Sequence, residues 1–157
     1  MTKEKSALMK NIIADYAESY SNFGLNPLMG RIVALLIISK EPKSLDEISD
    51  LLEMSKGPIS QICRRLKDKN LIEKEWVPGD RKDYYKATDD IFGQAYINHA
   101  EKMRKNIEIA GKYAAEANEN GGDDADYIIE RMREMKAFYE MMDEFNQKFI
   151  ENWKASR

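Results

Sequence analysis

The chain has 157 residues, enough for one domain or one domain with a helical extension, and its 43% hydrophobic content excludes disorder as a global state. No apolar run approaches a membrane span of about 18 residues, and the single cysteine, Cys63, excludes an internal disulfide and fits a reducing compartment. The net charge of −3 hides a segregation: residues 55–87 carry nine bases and five acids, whereas residues 88–157 carry ten bases and fifteen acids. A basic middle in an acidic chain suits a protein that turns one surface toward a polyanion.

The first residues, MTKEKSALMK, lack the apolar core and small-residue cleavage site of a secretory signal, so a soluble cytoplasmic chain is expected. Residues 4–21 then repeat apolar side chains at three- and four-residue steps (Leu8, Met9, Ile12, Ile13, Tyr16, Ala17 and Tyr20), the pattern of an amphipathic helix. Gly24 is expected to stop it, and Asn26-Pro27 to supply the cap and first residue of a second helix over residues 27–39. That second helix is apolar almost all round and belongs in the core, with Gly30 as a packing glycine and Arg31 as a structural arginine.

Ser44 and Glu47 have the spacing of a capping box, opening a short helix with Leu45, Ile48, Leu51 and Leu52 inward. Ser55 is expected to cap the next helix, with Met54 stapled on Ile59 and Pro58 harmless in the first turn. Ile59, Ile62 and Leu66 form the buried stripe of that helix. Residues 71–77 alternate as a half-buried strand, Ile72, Lys74 and Trp76 on one face; PGDRK is a turn and DYYKA the returning strand. Everything after Thr88 reads as helix, opened by a Thr88 cap and broken at Gly121-Gly122. The last helix, residues 124–153, carries a heptad-like seam of Ile128, Met132, Met135, Tyr139, Met142, Asn146, Phe149 and Trp153 that calls for a partner helix, in cis or from a second chain.

Helix, turn, helix and hairpin in this order is the plan of a winged helix-turn-helix. A helix entering a major groove needs small and cationic groups near its N-terminus. Ser55, Lys56, Gly57 and Ser60 meet that need, Gln61 and Arg64 can reach base edges, and Arg65 is placed for phosphate or an internal acid. Gly79 lets the hairpin tip project Arg81 and Lys82 toward a minor groove, while Asp80 is expected to shape the tip by accepting from turn amides or from the arginine.

The stretches GLNPLMGRI, LDEISDLLEMSKGPISQICRRLKDKNLI and WVPGDRKDYY resemble the GbsR branch of the MarR-type transcriptional regulators. Those proteins are bacterial and archaeal, and the best-understood ones control uptake or synthesis of osmoprotectants such as glycine betaine. The resemblance implies groove contacts between Ser55 and Arg65, a wing arginine at Arg81, a dimer built from N- and C-terminal helices, and repression as the default sign of regulation. Pro58 departs from the polar residue usual there, which removes one hydrogen-bonding side chain from the groove.

The expected fold is therefore mainly α with a small β-hairpin wing. It divides into an N-terminal dimerisation helix (residues 1–23), a winged helix-turn-helix DNA-binding domain (24–88) and a C-terminal helical dimerisation region (89–157). The expected partners are double-stranded DNA and a second copy, the latter through Leu8, Ile12, Tyr16, Ile128, Met132, Met135, Tyr139, Met142 and Phe149. A small-molecule effector, if there is one, would bind between the helical arms and the winged domain. Tyr16, Tyr20, Phe23, Tyr96 and Tyr113 suggest a cation-binding cage, but aromatic stripes at helical spacing more often pack. Cys63 reads as packing rather than a redox sensor, and His99 alone makes neither a metal site nor a dyad. No motif requires a cofactor or a metal or indicates an enzyme. The alternative is a winged helix serving as a protein-interaction module, which would need apolar anchors on its exposed helix face.

Overall fold

A computed structural model describes residues 3–22 and 26–157, so the stop expected at Gly24 and the ring of Phe23 lie outside the described residues. The elements are α1 (Lys3–Asn22), α2 (Pro27–Ile37), β1 (Lys43–Ser44), α3 (Leu45–Leu52), α4 (Lys56–Asp68), β2 (Ile72–Glu75), β3 (Tyr84–Ala87), α5 (Ile91–Asn120) and α6 (Ala125–Ala155), with a 3₁₀ turn at Gly122–Asp124. They form two compact units, Met1–Ile91 and Phe92–Arg157. The fold is mostly helical with a small antiparallel sheet, as expected.

In the first unit α2 is the central element, its Ile32, Val33, Ala34, Leu35 and Leu36 all buried. Asn26 caps it, the side-chain oxygen accepting from the Leu28 amide at 2.8 Å, and Pro27 sits where no intrahelical donor is needed. Helix α1 crosses α2 at Gly30: a Cβ there would come within 3.0 Å of the Ala17 Cα and the Tyr20 Cβ. Only glycine lets these two backbones approach so closely. Arg31 joins the same core to α3, donating to the Leu52 carbonyl at 2.7 Å, a structural role as expected.

Helix α3 opens with the full capping box. Glu47 N donates to Ser44 Oγ at 3.2 Å and Ser44 N to a Glu47 carboxylate oxygen at 2.7 Å. It closes on Glu53, held left-handed at φ 53°. Leu51, expected inside, is 41% exposed; Ile48 and Leu52 alone are fully buried on this two-turn helix. Helix α4 buries Ile59, Ile62, Cys63 and Leu66 and ends at the left-handed Asn70, where the Leu71 amide donates to the Leu66 carbonyl at 3.0 Å.

The sheet has strand order β1-β3-β2, all antiparallel, with Ile72 opposite Ala87, Glu75 opposite Tyr84 and Ser44 opposite Tyr84 on the other edge. The two-residue strand β1 was not expected from the sequence. The ladder between β2 and β3 stops at Glu75, so the strand expected over residues 71–77 is shorter and Trp76 stands 75% exposed. Thr88 does not cap α5. Its hydroxyl donates back to the Asn70 and Leu71 carbonyls at 3.1 and 3.2 Å, tying off the base of the hairpin, and the helix begins at Ile91.

In the second unit α5 and α6 lie side by side and antiparallel. Tyr96 donates from its hydroxyl to Asn146 at 2.7 Å and packs its ring 4.4 Å from that of Phe149, while Arg104 pairs with Asp143 at 3.1 Å. Part of the expected seam is thus spent in cis: Asn146 is buried, and Met132, Met135, Tyr139, Met142 and Trp153 are half-buried. A second stripe remains open, with Phe138, Met141 and Phe145 at 58%, 62% and 68% exposure. No helix among the described residues is long and apolar enough to cross a membrane.

Candidate nucleic-acid interface

Helix α4 divides into two faces. The apolar face is shut into the core, and Lys56, Gly57, Gln61, Arg64, Arg65 and Lys67 stand exposed, with Ser60 half-buried beside them. Ser55 is the N-cap residue by backbone conformation, φ −65° and ψ 151°, but its hydroxyl makes no capping hydrogen bond. Pro58 has no N–H. The first-turn amides of Lys56 and Gly57, with the Ser55 hydroxyl, are therefore donors at the positive end of the helix, and the open space around Gly57 leaves the backbone approachable.

The wing is built around one turn. Val77, Pro78, Gly79 and Asp80 close it with an Asp80 N to Val77 O bond of 3.1 Å, Gly79 supplying φ 83° at the position that demands a positive φ. The carboxylate of Asp80 then accepts from the Lys82 amide at 2.9 Å and from the Tyr84 hydroxyl at 2.8 Å. It thus shapes the tip through a turn amide and a tyrosine hydroxyl. Those donors, the Lys82 amide first, hold the Asp80 carboxyl below the usual carboxylate range. Ion pairs stiffen the strands: Lys74 with Asp83 at 2.6 Å, and Lys86 with Glu73 at 3.2 Å and Glu75 at 3.0 Å. Lys74 also lies 5.9 Å from the centre of the Tyr85 ring.

The cations sort into two groups. Arg64, Arg65 and Arg81 are exposed and form no ion pair among the described residues. Lys56 and Lys82 both pair with Asp46 of α3, Lys82 at 3.3 Å. Asp46 was missed in the sequence because its partners lie 10 and 36 positions further on, and no helical or strand periodicity links them. The two lysines hold its carboxyl below the ordinary range, the Lys56 hydrogen bond most strongly.

Cys63 is buried, and burial pushes its thiol up to about 11, as suits a packing residue. Tyr16 and Tyr20 pack ring to ring at 5.3 Å, and burial raises the Tyr20 hydroxyl to about 12. His99 is exposed. The sequence-predicted residues Ser55, Lys56, Gly57, Ser60, Gln61, Arg64, Arg65, Gly79, Arg81 and Lys82 fall on α4 and on the wing that follows it in the first unit.

Helices α3 and α4 with the β2–β3 hairpin define a winged helix-turn-helix module. Residues 23–83 match the model of the MarR family. Two curated relatives come from Bacillus subtilis (strain 168). The HTH-type transcriptional repressor OpcR is 33% identical over 89 residues, 57% of this chain and 48% of its own length. YvaV is 33% identical over 87 residues, 55% of this chain and 49% of its own. The chain therefore spans about half the length of the curated relatives it matches. A crystal structure of a transcriptional regulator shares the fold across 94% of this chain and 98% of its own, with a TM-score of 0.73 at 22% identity.

Proposed function

We propose that this protein is a sequence-specific DNA-binding transcriptional regulator of the MarR type. It acts as a homodimer, with α4 in the major groove and the wing arginine in the minor groove. The observation that carries this reading is the chemistry of the exposed α4 face. Gln61, Arg64 and Arg65 project from a helix whose large apolar side chains, Ile59, Ile62 and Leu66, are all spent inward, and Arg81 projects from a stiffened wing. A protein-interaction module would present apolar anchors on that face; here it presents amide, hydroxyl and guanidinium groups, the donors that base edges and phosphates accept.

Gln61 and Arg64 are the base readers in this reading, Ser55, Lys56, Gly57, Ser60 and Arg65 contact the backbone, and Gly79, Arg81 and Lys82 form the wing contact. Repression is the sign supported by the name of OpcR, and the cytoplasm is the compartment where such a regulator works. The wing and the Ser55-Lys56-Gly57 helix start favour the GbsR branch and, through it, a role in osmoprotectant control. Two copies would set their α4 helices into successive major grooves about 34 Å apart.

The test is selection of duplexes from a randomised pool. Enrichment of a two-fold symmetric sequence with half-sites one helical turn apart supports the reading, and a pool that stays unenriched after repeated rounds contradicts it.

A further inference from the structure

Two cations of the DNA-facing surface are already occupied. Lys56, the first residue of α4, binds one oxygen of the Asp46 carboxylate, and Lys82 on the wing binds the other at 3.3 Å. The three residues come from three separate segments and meet at the surface, with side-chain exposures of 64% for Lys56, 58% for Lys82 and 39% for Asp46. The neighbouring acids are engaged elsewhere: Glu47 by the Ser44 amide, Asp80 by the Lys82 amide and Tyr84, and Asp83 by Lys74. A carboxylate with an ammonium on each oxygen offers lysine what a DNA phosphate offers, two anionic oxygens at hydrogen-bonding distance.

We propose that Asp46 is an internal competitor of DNA at this interface, a phosphate substitute that holds Lys56 and Lys82 in the free protein and so restrains its affinity for duplexes. The inference rests on the DNA-binding reading above. On an ill-matched duplex each lysine would exchange one anion for another, so the pair adds little to the sequence-independent affinity that phosphate contacts otherwise supply. On a matched duplex the base contacts of Gln61 and Arg64 fix the backbone in place. Phosphates then lie within reach of both ammonium groups, and the exchange goes forward. The same carboxylate ties the wing to the start of α4 in the absence of DNA.

The test compares wild type, Asp46→Asn, Asp50→Asn and Asp46→Asn with Lys56→Gln. Each is titrated by fluorescence anisotropy against a random-sequence duplex and against a pool-selected duplex, across a salt series. Asp50 is exposed on the same helix, so its neutralisation changes net charge equally without touching either lysine. Thermal unfolding by circular dichroism confirms that each variant is folded. Asp46→Asn is expected to tighten binding to the random duplex about tenfold near 0.1 M salt and to steepen the salt slope by about one to two. The selected duplex should gain at least as much, because there both lysines no longer have to leave a carboxylate before reaching phosphate. Adding Lys56→Gln should remove roughly half of the extra slope, and Asp50→Asn should reproduce neither effect. The proposal is overturned if Asp46→Asn and Asp50→Asn behave alike, or if Asp46→Asn weakens binding to both duplexes. A wild type that binds neither duplex in a salt-dependent way overturns the DNA-binding reading itself, and the proposal with it.

Discussion

Arg64 and Arg81 are long, charged and form no ion pair among the described residues, whereas Lys56 and Lys82 are already paired. The arginines should therefore dominate DNA binding. Arg64→Ala should cost about 1–3 kcal/mol on a selected duplex and relax the preference at one position of each half-site, read by titrating single-base variants. Cys63 predicts differently: with its thiol at about 11 and the side chain buried, the native protein should resist iodoacetamide at neutral pH and react fully once unfolded. The sign of the pH dependence follows from the same burial. A thiol raised from 9.0 to about 11 stays protonated in the native state while the unfolded chain loses its proton, so stability should fall as pH rises through that window. The Tyr20 hydroxyl, raised from 10.0 to about 12, extends the loss to higher pH. A urea midpoint that stayed flat from pH 8 to pH 11 would contradict both burials.

Each element owes its position to a few contacts that can be broken singly. Gly30→Ala would gain helix propensity of up to about 1 kcal/mol, but its Cβ would press within 3.0 Å of the α1 backbone at Ala17, where yielding means moving a helix. Overpacking of this kind costs about 1–3 kcal/mol, so a net loss of stability of about 1 kcal/mol is expected from urea unfolding. Ser44→Ala should cost a further similar amount by opening the α3 capping box. The helices with caps and clean periodicity were legible in the sequence, α2 and α3 among them, because Asn26-Pro27 and Ser44…Glu47 act locally. The opposed faces of α4 were legible for the same reason. Strand β1 was not, since two residues carry no period and Lys43-Ser44 are strand only because β3 passes beside them. Thr88 looked like a cap; proximity to the Asn70 and Leu71 carbonyls, set by the hairpin, gave its hydroxyl another partner. The Asp46 cluster was hidden for the same reason, being a product of three segments that only the fold brings together.

At the scale of the whole molecule, the sequence left open whether α6 pairs in cis or in trans. The Tyr96–Asn146 bond, the Tyr96–Phe149 contact and the Arg104–Asp143 pair set it against α5 of its own chain. Phe138, Met141 and Phe145 remain as an exposed apolar stripe, larger than scattered surface residues account for. In the proposed homodimer, this stripe of the second unit is the surface a second copy should cover. Phe145→Glu is expected to turn a dimer into a monomer in analytical ultracentrifugation, leaving helical content unchanged by circular dichroism. A wild type that is monomeric at tens of micromolar would remove the two-half-site geometry. Whether α4 and the wing read DNA sequence is tested most directly by fluorescence anisotropy on a pool-selected duplex and its shuffled counterpart. The expected result is clear preference for the selected duplex, a steep salt slope, and loss of at least about tenfold in affinity with either Arg64→Ala or Arg81→Ala. Equal, weak binding to both duplexes, unchanged by either substitution, would contradict sequence reading by these elements.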